Sequence, residues 1–191
     1  MASALAPVAL NTDRLEIRPF EEGDMSPRYL AWLNDRITVR YSQQGLQEQD
    51  LKSCRTYRDE ILTSGGAMLA ICIQAAPLNA HIGNMTLRPF GQSNDQVDIS
   101  ILIGERSELG RGYATEAWLA ICHYLFNSHG TKRVTAGTHQ DNTKMLALMA
   151  RTGMRPFEPT DNASRENIYM VLDPEHAVGQ SYSQHHRDKN Q

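Results

Sequence analysis

Hydrophobic and polar positions repeat along this chain with two periods, and the switches between them mark out the elements. Residues 14–20 (RLEIRPF) alternate every second position as an edge strand does, with Pro19 near the end, where a missing backbone donor is tolerated. Glu21, Glu22 and Asp24 suit a helix start, and Met25, Tyr29, Leu30 and Leu33 then recur at helical spacing. Beyond the polar stretch 34–45, a weaker helical stripe of Leu51, Cys54, Arg58, Ile61 and Leu62 runs to the stop Ser64-Gly65-Gly66. The apolar run 67–74 has strand length, Pro77-Leu78-Asn79-Ala80 predicts a turn, and 81–88 reads as the partner strand of a hairpin stopped by Pro89. A polar turn over 90–96 leads into a central strand over 97–103.

A glycine-bearing turn follows that strand and opens a helix in which Ala114, Ala117, Trp118, Ile121, Cys122 and Leu125 share a face, ended by His129-Gly130. Residues 133–138 form the next strand, parallel in order to the one before the helix. Asp141 or Asn142 caps a further helix with its face at Met145, Leu148, Met149 and Thr152, closed by Gly153. Residues 154–157 and 166–172 form a closing strand pair. The ends read as a flexible arm over 1–11 and a disordered polar tail over 174–191, which leaves one domain over 12–173.

Composition narrows the function classes. With 191 residues, 40% hydrophobic content and a formal net charge of −3, the chain can bury one good core and shows no basic stripe for nucleic acid. No apolar run approaches the roughly eighteen residues of a membrane span. Cys54, Cys72 and Cys122 are odd in number and lie far apart in apolar contexts, so the expectation is a reduced, cytoplasmic protein without a metal.

The chemistry concentrates in the turn. Backbone N–H groups at a helix start lack intrahelical partners and the helix dipole adds about half a positive charge, so residues 109–115 predict a phosphate site. Gly110 and Gly112 let the anion approach the backbone closely. A P-loop string is absent. A dinucleotide fingerprint starting at Gly110 would need glycine or alanine where Thr115 stands, and its acidic partner would fall near Arg133.

What the segment Leu109-Gly110-Arg111-Gly112-Tyr113-Ala114 does resemble is the pyrophosphate loop of the GCN5-related N-acetyltransferase (GNAT) superfamily. Thr115-Glu116-Ala117 continues in the style of the branch that acetylates ribosomal protein N-termini, which commonly has a bulky apolar residue where Leu109 replaces the superfamily's Gln or Arg. The order of elements over residues 12–173 is also similar. The resemblance implies an α+β fold with a mixed, mostly antiparallel sheet of six to seven strands and about four helices. In it the central strand splays from the next, and the pantetheine arm of acetyl-CoA lies along the exposed edge, here Ile101, Leu102 and Ile103. The backbone of residues 109–114, with Thr115, would hold the pyrophosphate, Arg111 is available to the phosphates, and Asn142 matches an asparagine that touches the cofactor.

The implied reaction is direct acetyl transfer from acetyl-CoA to a primary amine. Asp98, on one face of the central strand with Ser100, is the first candidate base, and His139, which follows the next strand, is the second. Cys122 on the helix stripe reads as a buried apolar residue rather than a nucleophile. Relatives carry a tyrosine or serine acid where this chain has Met149 and Met145. Trp32-Leu33-Asn34-Asp35 with Arg40-Tyr41-Ser42 resembles acetyltransferases of amino-sugar biosynthesis and makes Trp32, Arg40, Tyr41 and Ser100 the candidate acceptor contacts. The acceptor is therefore expected to be a small-molecule amine such as a nucleotide-linked amino sugar. A protein N-terminus is the alternative, and a non-catalytic acetyl-CoA-binding module the third; the oligomeric expectation is a monomer or homodimer.

Overall fold

The computed structural model describes residues 5, 8–75, 80–89, 95–158, 164 and 166–178. Its elements are β1 (Leu10–Asn11), β2 (Leu15–Pro19), α1 (Pro27–Asn34), α2 (Leu51–Thr63), β3 (Ala67–Ile73), β4 (Ala80–Pro89), β5 (Gln96–Ile103), α3 (Tyr113–Tyr124), β6 (Arg133–His139), α4 (Thr143–Arg151), β7 (Arg155–Pro156) and β8 (Asn167–Leu172). The strands form one eight-stranded sheet in the order β1-β2-β3-β4-β5-β6-β8-β7. Only β5 and β6 run parallel, because α3 crosses between them; the other neighbours are antiparallel.

Strand alternation gives each face its own core. Leu69, Ile71, Val97 and Ile99 point to the side covered by α3 and α4, where Trp118, Ile121 and Leu125 are fully buried. Met68, Ala70 and Cys72 point to the other side, under Tyr29, Trp32 and Leu33 of α1 and Cys54 and Ile61 of α2. With both faces covered, β3 reads as an unbroken apolar run rather than an alternating one.

Several local expectations change. Glu21, Glu22 and Asp24 do not start the first helix; residues 22–24 form a short 3₁₀ turn, and α1 is capped by Ser26, which accepts from the Tyr29 N–H at 3.2 Å. Asp24 is instead buried in a bidentate pair with Arg18, both bonds 2.7 Å. Burial alone would raise its pKa, but the Arg18 hydrogen bonds and the Glu21 N–H outweigh that and hold it below the usual carboxylate value. On α2, Cys54 and Ile61 are buried while Leu51 and Leu62 are exposed. The arm over 1–11 is not free along its described part: Leu5 and Val8 join the main core, and β1 pairs with β2. Of the polar tail, residues 174–176 form a 3₁₀ turn and residues beyond 178 lie outside the described residues. The turns expected at 77–80 and 90–96 also fall largely outside them.

One feature of this architecture positions the site. β5 pairs with β6 only at Gln96, Val97 and Asp98, opposite Arg133, Val134 and Thr135. β5 nevertheless stays paired with β4 through Ile103, and β6 with β8 through His139. The two strands therefore part after three residue pairs and leave a wedge-shaped gap between 99–103 and 136–139.

At the wide end of the gap, Gly104 accepts the indole of Trp32 against its backbone, and a Cβ there would overlap that ring. Trp32 is buried beside Tyr29 and His81 and has nowhere to move. Gly104→Ala is expected to destabilise the protein by about 1–3 kcal/mol through overpacking, read as a lower urea midpoint at unchanged slope.

Candidate active site

The phase of β5 decides which of its backbone groups face the gap. The Gly104 N–H donates to Ile82 O on β4 at 2.9 Å, and strand alternation then turns Leu102 to β4 as well. Ile101 and Ile103 present their N–H and C=O to the gap. Leu102, expected as an edge contact, faces β4 with its backbone and the α1–α2 core with its side chain.

The strand ends in the glycine turn. Gly110 and Gly112 have φ of +79° and +85°, left-handed values that only glycine adopts without strain, and Gly112 caps α3. The Leu109 N–H is taken by the Arg106 carbonyl at 3.3 Å, so Leu109 does not offer the donor expected of it. The first helical bond runs from the Glu116 N–H to Gly112 O at 3.0 Å. Between these two, no backbone acceptor is found among the described residues for the N–H groups of Gly110, Arg111, Gly112, Tyr113, Ala114 and Thr115. A run of unpaired donors at a helix start is an anion-binding cradle. Arg111 is 58% exposed and paired with Glu108 at 3.3 Å, a surface contact that an arriving phosphate can displace.

Asn142 stands at the start of α4, at the end of the other strand bounding the gap. Its Oδ1 accepts from the Met145 N–H at 3.4 Å and its Nδ2 donates to Thr138 Oγ1 at 2.9 Å, so it is a helix cap tied to β6. Two helix N-termini thus bracket the mouth of the gap.

Asp98 lies where the strands part. Its face of the sheet, shared with Ser100, looks toward α1 and α2, opposite the face of Val97 and Ile99. Burial pushes its carboxyl from the ordinary 3.8 up to about 6, against the Thr135 hydroxyl, which donates to Oδ2 at 3.1 Å, and the charge of Arg88. A half-buried carboxylate with that pKa is ionised at neutral pH and basic enough to take a proton. Ser100 is exposed on the same face, with its hydroxyl 2.5 Å from that of Thr86.

His139 is not beside Asp98. It lies four positions beyond Thr135 along β6, about 13 Å at the rise of a strand, so the two candidates cannot serve the same proton. The Nδ1 of His139 accepts the Asp141 N–H at 3.2 Å, which leaves Nε2 with the proton, facing Glu166 at 3.8 Å. Its ring stacks on Tyr41 at 5.6 Å, Arg40 lies over the Tyr41 ring at 4.5 Å, and the Tyr41 hydroxyl donates to Asp141 O at 3.0 Å. Tyr41, with Arg40 over its ring, therefore sits against the end of β6. Trp32, expected with them as an acceptor contact, is part of the core instead.

Other candidates resolve simply. Cys122 is buried, and burial pushes its thiol up to about 12, which rules it out as a nucleophile at neutral pH. Met149 is fully buried in the main core and Met145 packs at its edge, so neither position supplies an acid. Asp173, Glu175 and His176 bring ligand atoms within 4.8 Å of one another, but Asp173 is consumed by ion pairs to Arg133 and Arg155. No helix of the described residues is long and apolar enough to cross a membrane. Sequence reading missed Thr135, which the alternation of 133–138 could have placed opposite Asp98, and the ion pair of Arg14 with Glu116, which no local pattern signals.

A family model described as acetyltransferase (GNAT) domain matches residues 14–155. No curated protein matches the chain. Among solved structures, a GNAT-family acetyltransferase from Bacillus anthracis superposes with a TM-score of 0.74 at 18% identity, covering 88% of this chain and 99% of that one. An acetyltransferase from Agrobacterium tumefaciens gives 0.69 at 20% identity, covering 88% and 95%. RimL, a ribosomal L7/L12 α-N-protein acetyltransferase solved in complex with coenzyme A, gives 0.71 at 13% identity, covering 85% and 95%. At these identities the likeness is one of fold.

Asp98 also makes a prediction about stability. A carboxyl whose folded pKa is raised to about 6 binds its proton more tightly in the native state, so stability falls as pH rises from 4 through 6 and is level above. Asp98→Asn removes this slope and is expected to stabilise the protein at pH 7 by about 1–2 kcal/mol while changing little at pH 4. Urea unfolding at both pH values reads the difference; equal effects at the two would contradict the buried, raised carboxyl.

Proposed function

The chain belongs to the acetyltransferase (GNAT) domain family, and from that premise we propose that it transfers acetyl from acetyl-CoA to the primary amine of a small molecule, of which an amino sugar is the first class to test. The observation that carries this is the gap between β5 and β6 with the row of unpaired N–H groups at its mouth. A linear acetyl donor fits such a site: the pyrophosphate sits on residues 110–115, and the arm pairs with the Ile101 and Ile103 backbone. The thioester then lies toward Asp98.

The chemistry needs little more than positioning. The amine loses a proton to Asp98, directly or through a water, and its lone pair attacks the thioester carbon. The C–N bond forms, the C–S bond breaks, and the thiolate takes a proton from water or from the acceptor, since Met145 and Met149 have none to give. Holding the two reactants in line supplies effective molarities of about 10⁵–10⁸ M, whereas a general acid supplies about 10²–10⁴. An enzyme without a dedicated acid therefore remains fast.

Tyr41 lies against Asp141 and His139 at the end of β6, and the likeness of residues 32–42 to acetyltransferases of amino-sugar biosynthesis supports a compact acceptor over a polypeptide. The segment Tyr113-Ala114-Thr115-Glu116-Ala117 favours the second reading, a protein N-terminus, by its likeness to the ribosomal branch. Incubating the protein with labelled acetyl-CoA, once with a metabolite extract and once with a peptide library, separates the two by mass spectrometry. Labelled amino sugars or other small amines support the proposal; labelled peptides alone support the second reading. No acetylated amine in either arm, with binding intact, indicates a binding module.

Two substitutions test the parts. Gly112→Asp forces a side chain onto a left-handed residue and sets a carboxylate against Arg14, which disturbs the turn that orients the unpaired N–H groups, and calorimetry should show acetyl-CoA affinity reduced about tenfold or more; unchanged affinity in the folded variant contradicts the cofactor assignment. Asp98→Asn should lower kcat about 10²-fold at pH 7, with the loss shrinking as pH rises and free amine becomes abundant. A pH–rate profile that overlays the parent moves the base role away from Asp98.

A further inference from the structure

The glycine turn is held from outside by a residue that no local pattern connects to it. Arg14, at the start of β2, reaches the beginning of α3. Its Nε donates to Glu116 Oε2 at 2.7 Å, its Nη2 lies 2.6 Å from the same oxygen, and its Nη1 donates to the Arg111 carbonyl at 2.9 Å. The guanidinium sits 4.5 Å above the Tyr113 ring and within 3.4 Å of where a Gly112 Cβ would stand. Glu116 is itself saturated, because its Oε1 accepts from the Thr12 hydroxyl at 2.5 Å and from the Arg14 N–H at 3.0 Å.

Two physical consequences follow. The peptide joining Arg111 to Gly112 is planar, with C=O and N–H on opposite sides, so pinning the Arg111 carbonyl to Arg14 aims the Gly112 N–H away from it, into the cradle. The Glu116 carboxylate is mostly buried one turn into α3, close to where an anion must bind, and Arg14 cancels its charge. The rigid guanidinium fork holds the carboxylate on its Nε–Nη2 edge and the carbonyl on Nη1, a split that the single nitrogen of a lysine on its flexible stem does not reproduce.

We propose that Arg14, anchored by Glu116, is a positioning residue for acetyl-CoA that fixes the Arg111–Gly112 peptide in the orientation the pyrophosphate requires. The inference rests on the placement of the pyrophosphate at residues 110–115 and concerns the phosphate end of the ligand alone. An effect confined to that end separates positioning from a general loss of structure.

The test compares CoA with pantetheine, which lacks the pyrophosphate, on the full chain. CoA is titrated by calorimetry and pantetheine by ligand-observed NMR, with thermal unfolding recorded for each variant. Arg14→Lys should fold, lose about tenfold in CoA affinity and leave pantetheine affinity within twofold of the parent. Glu116→Gln keeps an acceptor for the guanidinium and should lose less than threefold. Unchanged CoA affinity in folded Arg14→Lys, or equal losses for both ligands, overturns the inference. Parent protein that binds CoA no tighter than pantetheine overturns the pyrophosphate placement itself, and the inference with it, and that outcome is recognisable because it appears without any substitution.

Discussion

The whole site depends on one unmet pairing: β5 and β6 exchange backbone contacts at only three residue pairs before they diverge. A sheet normally satisfies every buried donor and acceptor, and leaving such groups unpaired costs about 1–3 kcal/mol each when water cannot reach them. The wedge persists because each strand is fully engaged on its other edge, β5 with β4 and β6 with β8, and because separate cores clamp the sheet from both sides. Closing it would require breaking one of those ladders. The edges of Ile101 and Ile103 thus stay open, as pairing with the amide groups of an extended ligand would require.

From that constraint the electrostatics follow. In an open sheet the C-terminal ends of parallel strands face helix N-termini, and here α3 and α4 both begin at the wide end of the gap. Positive potential therefore collects at the wide end, where the proposed pyrophosphate would lie. At the narrow end, where the strands still touch, burial raises the pKa of a single carboxylate, Asp98, to about 6 against the opposing Thr135 hydrogen bond. Strand β5 accordingly carries the Asp98 carboxylate and the unpaired donors of the glycine turn toward opposite ends, with Asp98 and Gly104 about 20 Å apart at strand rise. A donor with phosphate at one end and a reactive thioester at the other is matched to that polarity, and neither charged group weakens the other.

Much of this was legible in the chain. The central strand, the glycine turn and the following helix stood out because each has its own period, and Gly110 and Gly112 do adopt the left-handed conformations that the turn demands. The order of elements also followed from pattern, and the mixed, mostly antiparallel sheet from the family resemblance. What pattern does not carry is anything that depends on partners far apart in sequence. The buried Arg18–Asp24 pair made an acidic run look like a helix start, and the Arg14–Glu116 contact joins residues in different elements. Trp32 resembled an acceptor contact, yet its burial against Gly104 is a packing matter that only the fold reveals. Leu102 and Leu109 shared the right stretch of sequence, but strand phase and a single turn hydrogen bond take their backbones out of the ligand's path. The β1 strand is too short for periodicity to register, at two residues.

The central claim is that the gap edge and the glycine turn together hold acetyl-CoA, and amide hydrogen exchange with and without CoA tests it most directly. On binding, protection is predicted to rise at the amides of Ile101 and Ile103 and across residues 110–115, while Leu102 and Gly104, already bonded to β4, change little. Protection that appears elsewhere, or that leaves Ile101, Ile103 and the turn exchanging as in the free protein, would contradict the account.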